Sequence, residues 1–251
     1  MLKIEKAEVV GFEAAIRGMR NPKNSWEKSD SEYCSEYDHP PIEGSCHYCP
    51  YDSMCNKSEK AMQQMYLIES NDLDLMTRLR NAGTDHRKFM RMIVVYLDIT
   101  APLYWWKEFD TYKVGTVANS CSTMHKIAAK EFTVDDFSHE HLLSMANNDA
   151  GDALFLNDAN NIRVDGDDLL GLIINVLNYY RGRYIKTKDK RYWWQMIQLL
   201  PSSYNQKRTV MLNYEVLANI YKSRKDHKLD EWHTFCDWIE SLPYSELITA
   251  S

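Results

Sequence analysis

The sequence predicts an α+β fold, with a small, mostly antiparallel sheet packed with helices and a largely helical C-terminal half. Residues 92–97, Met-Ile-Val-Val-Tyr-Leu, form a short apolar run, which is typical of a buried strand. Residues 169–184 repeat apolar side chains around most of a helical circumference, which predicts a buried helix. A tryptophan-rich helix over residues 192–200 follows and is ended by Pro201.

The N-terminal part begins with a strand and two helices. Residues 3–12 predict the first strand, and residues 13–19 predict a helix. A second helix is expected over residues 72–81, because Asn71 is a suitable N-cap and Gly83 a suitable residue just beyond the C-terminus. These elements precede the apolar strand.

The stretch after the apolar strand changes composition abruptly. Thr100, Ala101 and Pro102 predict an N-cap followed by proline in a first helical turn. After Tyr112 the residues become small and polar, and such a loop lets backbone and hydroxyl groups approach a ligand closely.

Residues 208–224 predict one further helix. On such a helix Asn213 and Arg224 share a face, roughly 16 Å apart along the axis. That separation suits an extended ligand better than a small substrate. The alternative is that asparagines on this helix bond to neighbouring helices.

Composition narrows the class of protein. The 251 residues are 44% hydrophobic and 26% charged, ordinary values for a soluble globular chain, and we expect one domain over residues 1–251. A net charge of −6 argues against a general nucleic-acid binder, although a local basic patch is compatible with it. No apolar run is long enough for a membrane helix, and the N-terminus has no signal core. We therefore expect a cytoplasmic protein without membrane contact.

Residues 32–56 form a cysteine-rich segment, which we predict to be an insert in this domain. Four thiols occur in a Cys-x2-Cys-x5-Cys pattern with one cysteine upstream, namely Cys34, Cys46, Cys49 and Cys55. Four thiolates suit tetrahedral Zn²⁺ or an iron–sulfur cluster. Free thiols are the alternative, because the spacing alone does not require a metal.

A second stretch carries a family resemblance. Pro201 is followed by Asn213, Asn219 and Arg224, and Ala101-Pro102 precedes the small-residue loop. In these positions the chain resembles the flavin-dependent thymidylate synthases, over roughly residues 92–232. Aligned on Asn119, the signature loop of that family matches Asn119 and Ser122. Aligned on Ala101-Pro102, it shifts by one residue and places Cys121 on a serine.

The chain departs from the family at its arginines. The family's Arg-His-Arg falls on Tyr112, Lys113 and Val114, and two further arginines are replaced by Ile197 and Glu215. The resemblance implies that these arginines hold flavin and nucleotide phosphates. Residues 85–91 contain a basic cluster that either replaces those contacts or forms a solvated helix face.

The resemblance implies a reaction and a set of site residues. The family converts dUMP to dTMP with methylenetetrahydrofolate as carbon donor, NADPH as reductant and FAD as the hydride carrier, in a homotetramer. Carried over by position, the cofactor-binding residues are Asn213, Asn219, Arg224, Tyr112 and Lys113. Asn119 and Ser122 are then the predicted catalytic residues, which hydrogen-bond the pyrimidine. Lys113 and Arg208 add positive charge, and Tyr112, Trp105 or Trp106 offers a ring for stacking.

Three functions remain open at this point. The first is an FAD-dependent synthase acting on dUMP or a related pyrimidine nucleotide. The second is a protein of the same fold that binds flavin or nucleotide without turnover. The third is an interaction module that uses the cysteine-rich segment.

Overall fold

The computed structural model describes residues 2–33, 65–144, 154–157 and 162–250. Its fold class is α+β, as predicted. The strands are β1 (Lys3–Val10), β2 (Glu32–Tyr33), β3 (Tyr66–Leu67), β4 (Val94–Pro102), β5 (Val117–Ser120), β6 (Leu154–Asn157), β7 (Ile162–Val164) and β8 (Asn205–Asn213). The α-helices are α1 (Phe12–Arg20), α2 (Ser70–Asn81), α3 (Leu103–Phe109), α4 (Thr123–Lys126), α5 (Gly166–Thr187), α6 (Lys190–Leu199), α7 (Tyr214–Arg224), α8 (Asp230–Glu240) and α9 (Glu246–Thr249).

One small antiparallel sheet contains four of the strands, in the order β1-β4-β8-β5. Two separate pairs complete the described strands. In one, β2 and β3 run antiparallel with Tyr33 opposite Tyr66. In the other, β6 and β7 run antiparallel with a register shift between Phe155 and Asn157.

Strand β4 confirms the strand predicted from the apolar run. Its side chains alternate, so that Val95, Leu97 and Ile99 are buried. The strand continues to Pro102, where φ is −67° and ψ is 152°. Helix α3 therefore begins at Leu103 with Pro102 as its N-cap. The predicted helical turn from Thr100 was wrong, because those residues remain in the strand.

The described residues fall into two compact units. The first comprises residues 1–3, 100–110 and 120–208. One core is formed by apolar side chains from the segment after α4, from α5 and from α6, namely Ile127, Phe132, Phe137, Leu170, Leu177 and Met196. In α3 of the same unit, Trp105, Trp106 and Phe109 are buried against one another with ring centroids 5.0–5.2 Å apart.

The second unit comprises residues 4–99, 111–119 and 209–251. An aromatic group anchors its core: the Phe12 ring meets Tyr214 edge-on at 5.7 Å and Tyr244 at 5.4 Å. The Tyr214 hydroxyl donates to the carbonyl of Pro243 at 2.5 Å. Trp232 and Phe235 of α8 pack in the same core at 6.0 Å.

The predicted helix over residues 208–224 was wrong in its first part. Residues 205–213 form β8, and the helix starts only at Tyr214. Thr209 and Val210 are β-branched, which favours a strand, and β8 lies between β4 and β5 in the sheet. Asn213 has extended dihedral angles, φ −133° and ψ 168°. It therefore lies outside the helix, and the shared helical face predicted for it and Arg224 does not exist.

Helix α5 confirms the helix predicted over residues 169–184 but is not buried all round. Leu170 and Leu177 are in the core, whereas Leu172 and Tyr179 expose 54% and 60% of their surface. One stripe of the helix is therefore sufficient to pack on its unit. None of the described helices combines the length and the apolar character needed to cross a membrane.

Candidate functional site

Arg224, at the end of α7, is brought together with Tyr112. Its Nε donates a hydrogen bond of 2.9 Å to the Tyr112 hydroxyl. The guanidinium carbon lies 5.6 Å from the centre of the Tyr112 ring and 4.8 Å from that of Trp232. Such cation–π contacts hold a planar guanidinium in a defined orientation. Two of the five residues predicted to bind a cofactor are therefore in contact, although 112 positions separate them in the sequence.

Asn213 caps the N-terminus of α7. Its Oδ1 accepts a hydrogen bond of 3.1 Å from the backbone N–H of Val216, and the residue is only 9% exposed. The loop that carries Tyr112 and Lys113 reaches the same amide at Gly115. A Cβ on Gly115 would lie 3.0 Å from Asn213 Nδ2. Asn213, which matches an asparagine of the family, therefore caps a helix in this chain. The loop approaches Asn213 closely because Gly115 has no side chain.

A buried hydroxyl in this loop has no partner. Thr116 Oγ1 is inaccessible to solvent and makes no hydrogen bond within the described part of the chain. Leaving a buried polar group unpaired costs about 1–3 kcal/mol. The described part of the chain does not satisfy this hydroxyl, and a ligand atom would reach it only if the loop opened.

Glu215 occupies a position where the family carries an arginine, and arginines from the predicted basic cluster surround it. Arg87 Nε lies 3.4 Å from Glu215 Oε1, and Arg91 Nη2 lies 3.3 Å from the same oxygen. Arg91 Nε makes a further short hydrogen bond to Oε2. Two cations of the cluster are therefore bound to a carboxylate of their own chain. Two features of the sequence indicate this cluster: Arg87 and Arg91 are four residues apart, and Glu215 stands at a position where the family carries an arginine.

The other predicted residues of the second unit are on the surface. Lys113 and Asn119 are exposed in the loop and in β5, and Asn219 is exposed on α7. The backbone carbonyl of Lys113 accepts a hydrogen bond of 3.3 Å from the Thr116 N–H. This hydrogen bond closes a turn over residues 113–116, which contains both Lys113 and Gly115.

In the first unit, Ser122 and Arg208 have partners within the chain. Ser122 caps α4, and its Oγ accepts a hydrogen bond of 3.2 Å from the His125 N–H. Arg208 Nη1 lies 2.8 Å from Asp110 Oδ1, and its guanidinium covers the Trp106 ring at 4.2 Å. Trp105 and Trp106 are at most 1% exposed. Of the three rings predicted as alternatives for stacking on a ligand, these two are excluded because both are in the core, and Tyr112 stays a prediction.

The predicted metal ligands Cys34, Cys46, Cys49 and Cys55 lie outside the described residues. Within the described residues, no group of three or more side chains that could bind a metal is present. The two remaining cysteines of the chain are Cys121, which is exposed, and Cys236, which is buried. Burial raises the pKa of the Cys236 thiol to about 11, and the nearby carboxylates of Asp237 and Glu240 raise it further. Cys236 is therefore a neutral packing residue.

No protein-family model and no curated protein matches this sequence. Solved structures do match. Thymidylate Synthase X (ThyX) from Helicobacter pylori, crystallised with FAD and dUMP, is 13% identical with a TM-score of 0.57, and the match covers 99% of this chain and 97% of that one. The fold is that of the flavin-dependent thymidylate synthases.

A second enzyme has the same fold. The UMP/dUMP methylase PolB from Streptomyces cacaoi, bound with 5-Br UMP, is 13% identical with a TM-score of 0.55, over 100% of this chain and 94% of that one. At this identity the likeness establishes the ThyX fold and leaves the reaction to be proposed. The predicted resemblance is thus confirmed for the fold, and it extends beyond residues 92–232 to nearly the whole chain.

Proposed function

We propose that this protein is a flavin-dependent nucleotide methylase, which converts dUMP to dTMP using methylenetetrahydrofolate and NADPH. The observation that supports the proposal is the match of the entire chain to two nucleotide methylases of one fold. Both structures match over at least 94% of their own length.

The donor set of this chain fits a flavin. Bound FAD would supply hydride chemistry, and the protein would supply binding and orientation. In our proposal Lys113 provides the positive charge for a phosphate, and the exposed Asn219 amide donates a hydrogen bond. Asn213 and Arg224 shape the binding surface, since one caps α7 and the other holds Tyr112.

Asn119 and Ser122 are proposed as the residues that hydrogen-bond the pyrimidine, because they match the signature loop. Both are exposed. The Ser122 hydroxyl oxygen accepts from His125 N–H, which leaves its proton available to a ligand. An amide and a hydroxyl together supply the donors and acceptors that a uracil edge requires.

FAD binding is the first test. We expect purified protein to bind FAD, observed as a flavin absorption band that remains after gel filtration. Lys113→Ala should weaken FAD binding about fivefold or more, because a charge-assisted hydrogen bond is lost. The matched control is Lys107→Ala, an exposed lysine on α3, which should leave FAD binding unchanged. A protein that binds no flavin even with excess FAD would overturn the proposal.

Turnover is tested by tritium release from C5-tritiated dUMP, with FAD, NADPH and methylenetetrahydrofolate present. A parallel reaction with tritiated UMP is needed because the PolB structure is a UMP/dUMP methylase. Release from dUMP supports dTMP formation, and release from UMP alone would assign a ribonucleotide substrate. Asn119→Ala and Ser122→Ala should each lower release while FAD remains bound.

A second candidate is a protein that binds flavin or nucleotide without turnover. The observation in its favour is Glu215, which replaces a family arginine and is bound by Arg87 and Arg91. A negative side chain at this position does not bind phosphate. Flavin binding without tritium release from either nucleotide would favour this candidate.

We also propose the homotetramer that the family implies. Helix α5 leaves Leu169 and Leu172 49% and 54% exposed, and apolar surface of this kind is typical of contacts between subunits. Light scattering coupled to gel filtration should give four times 29.5 kDa. Leu172→Glu should lower this mass, and a monomeric wild type would contradict the proposal.

A further inference from the structure

The turn between α5 and α6 concentrates positive charge and aromatic rings. We call residues 179–194 the α5–α6 corner. Six of its side chains are cationic and one is acidic. The cations are Arg181, Arg183, Lys186, Lys188, Lys190 and Arg191. The whole chain has a net charge of −6, so this local excess of cations is opposite in sign to the rest of the protein.

The single carboxylate of the corner does not balance these charges. Asp189 caps α6 by accepting from the Arg191 N–H at 2.9 Å, and its Oδ2 pairs with the Arg191 guanidinium at 2.7 Å. Lys186, Lys188 and Lys190 are exposed. Among the described residues, no carboxylate forms an ion pair with any of these three lysines.

Aromatic rings lie between the cations. Lys190 Nζ is 5.8 Å from the centre of the Trp193 ring and 5.6 Å from that of Trp194. The Arg183 guanidinium lies 5.1 Å from the Tyr192 ring. The Trp193 indole N–H donates to the carbonyl of Met124 at 3.1 Å, which anchors that ring. Trp194 exposes 43% of its surface and Tyr179 exposes 60%.

Hydrogen bonds within the fold use the three arginines, since Arg181 donates to the Ala128 carbonyl, Arg183 to the Tyr192 hydroxyl and Arg191 to Asp189. They do not account for the three lysines. Cations at the end of α5 complement the negative end of its helix dipole. Lys190 and Arg191, however, begin α6, where the first turn contains no acidic residue. A positive charge at a helix N-terminus opposes the dipole, and neighbouring like charges repel. The corner therefore carries charges that the isolated fold does not favour.

We propose that the α5–α6 corner binds single-stranded nucleic acid. Its unpaired lysines attract a phosphate backbone, and its exposed rings offer surfaces on which unpaired bases stack. The combination distinguishes this ligand from two other polyanions. An acidic peptide would use the lysines without needing the Trp194 ring. An anionic membrane could use both, because tryptophan also inserts at membrane interfaces, so the comparison with lipid vesicles below decides between it and nucleic acid. The proposal is independent of the methylase reaction, since no residue of the corner belongs to the proposed nucleotide or flavin site.

The test is fluorescence anisotropy of a labelled oligothymidylate of roughly 12 nucleotides, a length within the usual site size. The full-length protein is used at about 50 mM salt, where phosphate contacts are strongest. We expect saturable binding that weakens as salt increases. The triple variant Lys186→Ala, Lys188→Asn, Lys190→Ala should reduce the salt slope by about 2, because each single-strand contact contributes roughly 0.7. Asparagine is chosen at position 188 because Lys188 has a left-handed φ of 57°.

The matched control removes three exposed lysines elsewhere, namely Lys222, Lys225 and Lys228. This triple alanine variant changes the net charge equally and should leave oligonucleotide binding within about twofold. Trp194→Ala should weaken binding roughly fivefold to a hundredfold through lost stacking, and Trp194→Phe should restore most of it. Circular dichroism checks that each variant is folded.

Four outcomes would overturn the proposal. They are no binding at low salt, equal losses in the two lysine variants, no effect of Trp194→Ala, and tighter binding to anionic lipid vesicles or polyglutamate than to the oligonucleotide. FAD binding and tritium release by the corner variants should remain at the wild-type level. A failed oligonucleotide experiment therefore leaves the proposed methylase function untouched.

Discussion

A buried ion pair joins the last residue of α1 to α2. Arg20 Nε lies 2.7 Å from Asp72 Oδ1, and the two side chains are 4% and 0% exposed. The hydroxyls of Ser29 and Ser31 each donate to Asp72 Oδ2 at 2.7 Å. Burial alone would raise the pKa of Asp72, but the hydrogen bonds from these serines and from Arg20 hold it below its ordinary 3.8. The serines of the loop after α1 thus bind a carboxylate of their own chain.

Asp72→Asn should destabilise the protein by about 3–5 kcal/mol, because it leaves Arg20 as an unpaired buried charge. A lowered pKa in the folded state means that the ionised carboxylate stabilises the fold at neutral pH. That contribution disappears as the pH falls below 3.8 through the lower folded-state pKa. The wild type should therefore lose more stability than the variant between neutral pH and pH 3 or below. Urea unfolding at several pH values measures both effects.

The control for this prediction is Asp74→Asn, two residues further along α2. Asp74 pairs with Arg78 across one helical turn, and both side chains are about two-thirds exposed. A surface pair of this kind contributes roughly 0–1 kcal/mol. Equal destabilisation by the two substitutions would contradict the assignment of Asp72 to a buried network.

At the level of single elements, helix α7 separates the two family asparagines. Asn213 caps the helix through Val216 N–H, whereas Asn219 is exposed on its surface. Asn213→Ala should lower the free energy of unfolding by about 1 kcal/mol, as expected for a lost N-cap. Asn219→Ala should change it by less than about 0.5 kcal/mol. Thermal unfolding of both variants measures the difference, and similar values would argue against the capping role.

The loop before β5 depends on a glycine. Gly115 has φ +82°, and a Cβ there would approach Asn213 Nδ2 to 3.0 Å. Gly115→Ala therefore combines backbone strain with a close contact, and we expect a loss of about 1–3 kcal/mol in stability. FAD binding should weaken in parallel, because the loop carries Tyr112 and Lys113.

Gly83 provides the control for this loop. It has a similar dihedral angle, φ +103°, but a Cβ would meet nothing within 4 Å. Gly83→Ala should therefore show the cost of the backbone angle alone, about 1 kcal/mol, with no change in FAD binding. If the two variants were equally stable, the close approach of the loop to Asn213 would not matter.

At the scale of the whole molecule, the next prediction concerns metal binding by the cysteine-rich segment at residues 32–56. The strands that flank it pair with each other, so that Tyr33 lies opposite Tyr66. A short cysteine-rich segment gains most of its order from a bound metal. Metal binding at Cys34, Cys46, Cys49 and Cys55 remains a prediction, as does a single domain over the full chain.

Metal analysis of freshly purified protein should find about one zinc ion per chain or, for a cluster, iron with a broad brown absorption. Cys46→Ser combined with Cys49→Ser should remove the metal. Cys121→Ser should retain it, because Cys121 is an exposed thiol far along the chain. A wild-type protein without zinc or iron would leave the four cysteines as free thiols.

Local patterns were sufficient for the fold class and for most elements. The apolar run at 92–97 became β4, and the periodic stretch at 169–184 became most of α5. Each prediction rests on the spacing of apolar side chains within one helix or strand, and that spacing is visible in a few consecutive residues. The spacing from Pro201 to Arg224 was also sufficient to identify the fold of the flavin-dependent thymidylate synthases.

The use of individual side chains depended on residues far apart in sequence. Glu215 binds Arg87 and Arg91 across more than 120 residues, and Arg224 meets Tyr112 across 112. Trp106, predicted to stack on a ligand, is buried beneath Arg208. Periodicity shows that a side chain is apolar or charged, but its partner is set by where other elements pack. For that reason the sequence determined the scaffold and the candidate residues, whereas the tertiary structure determined which of them remain available to a ligand.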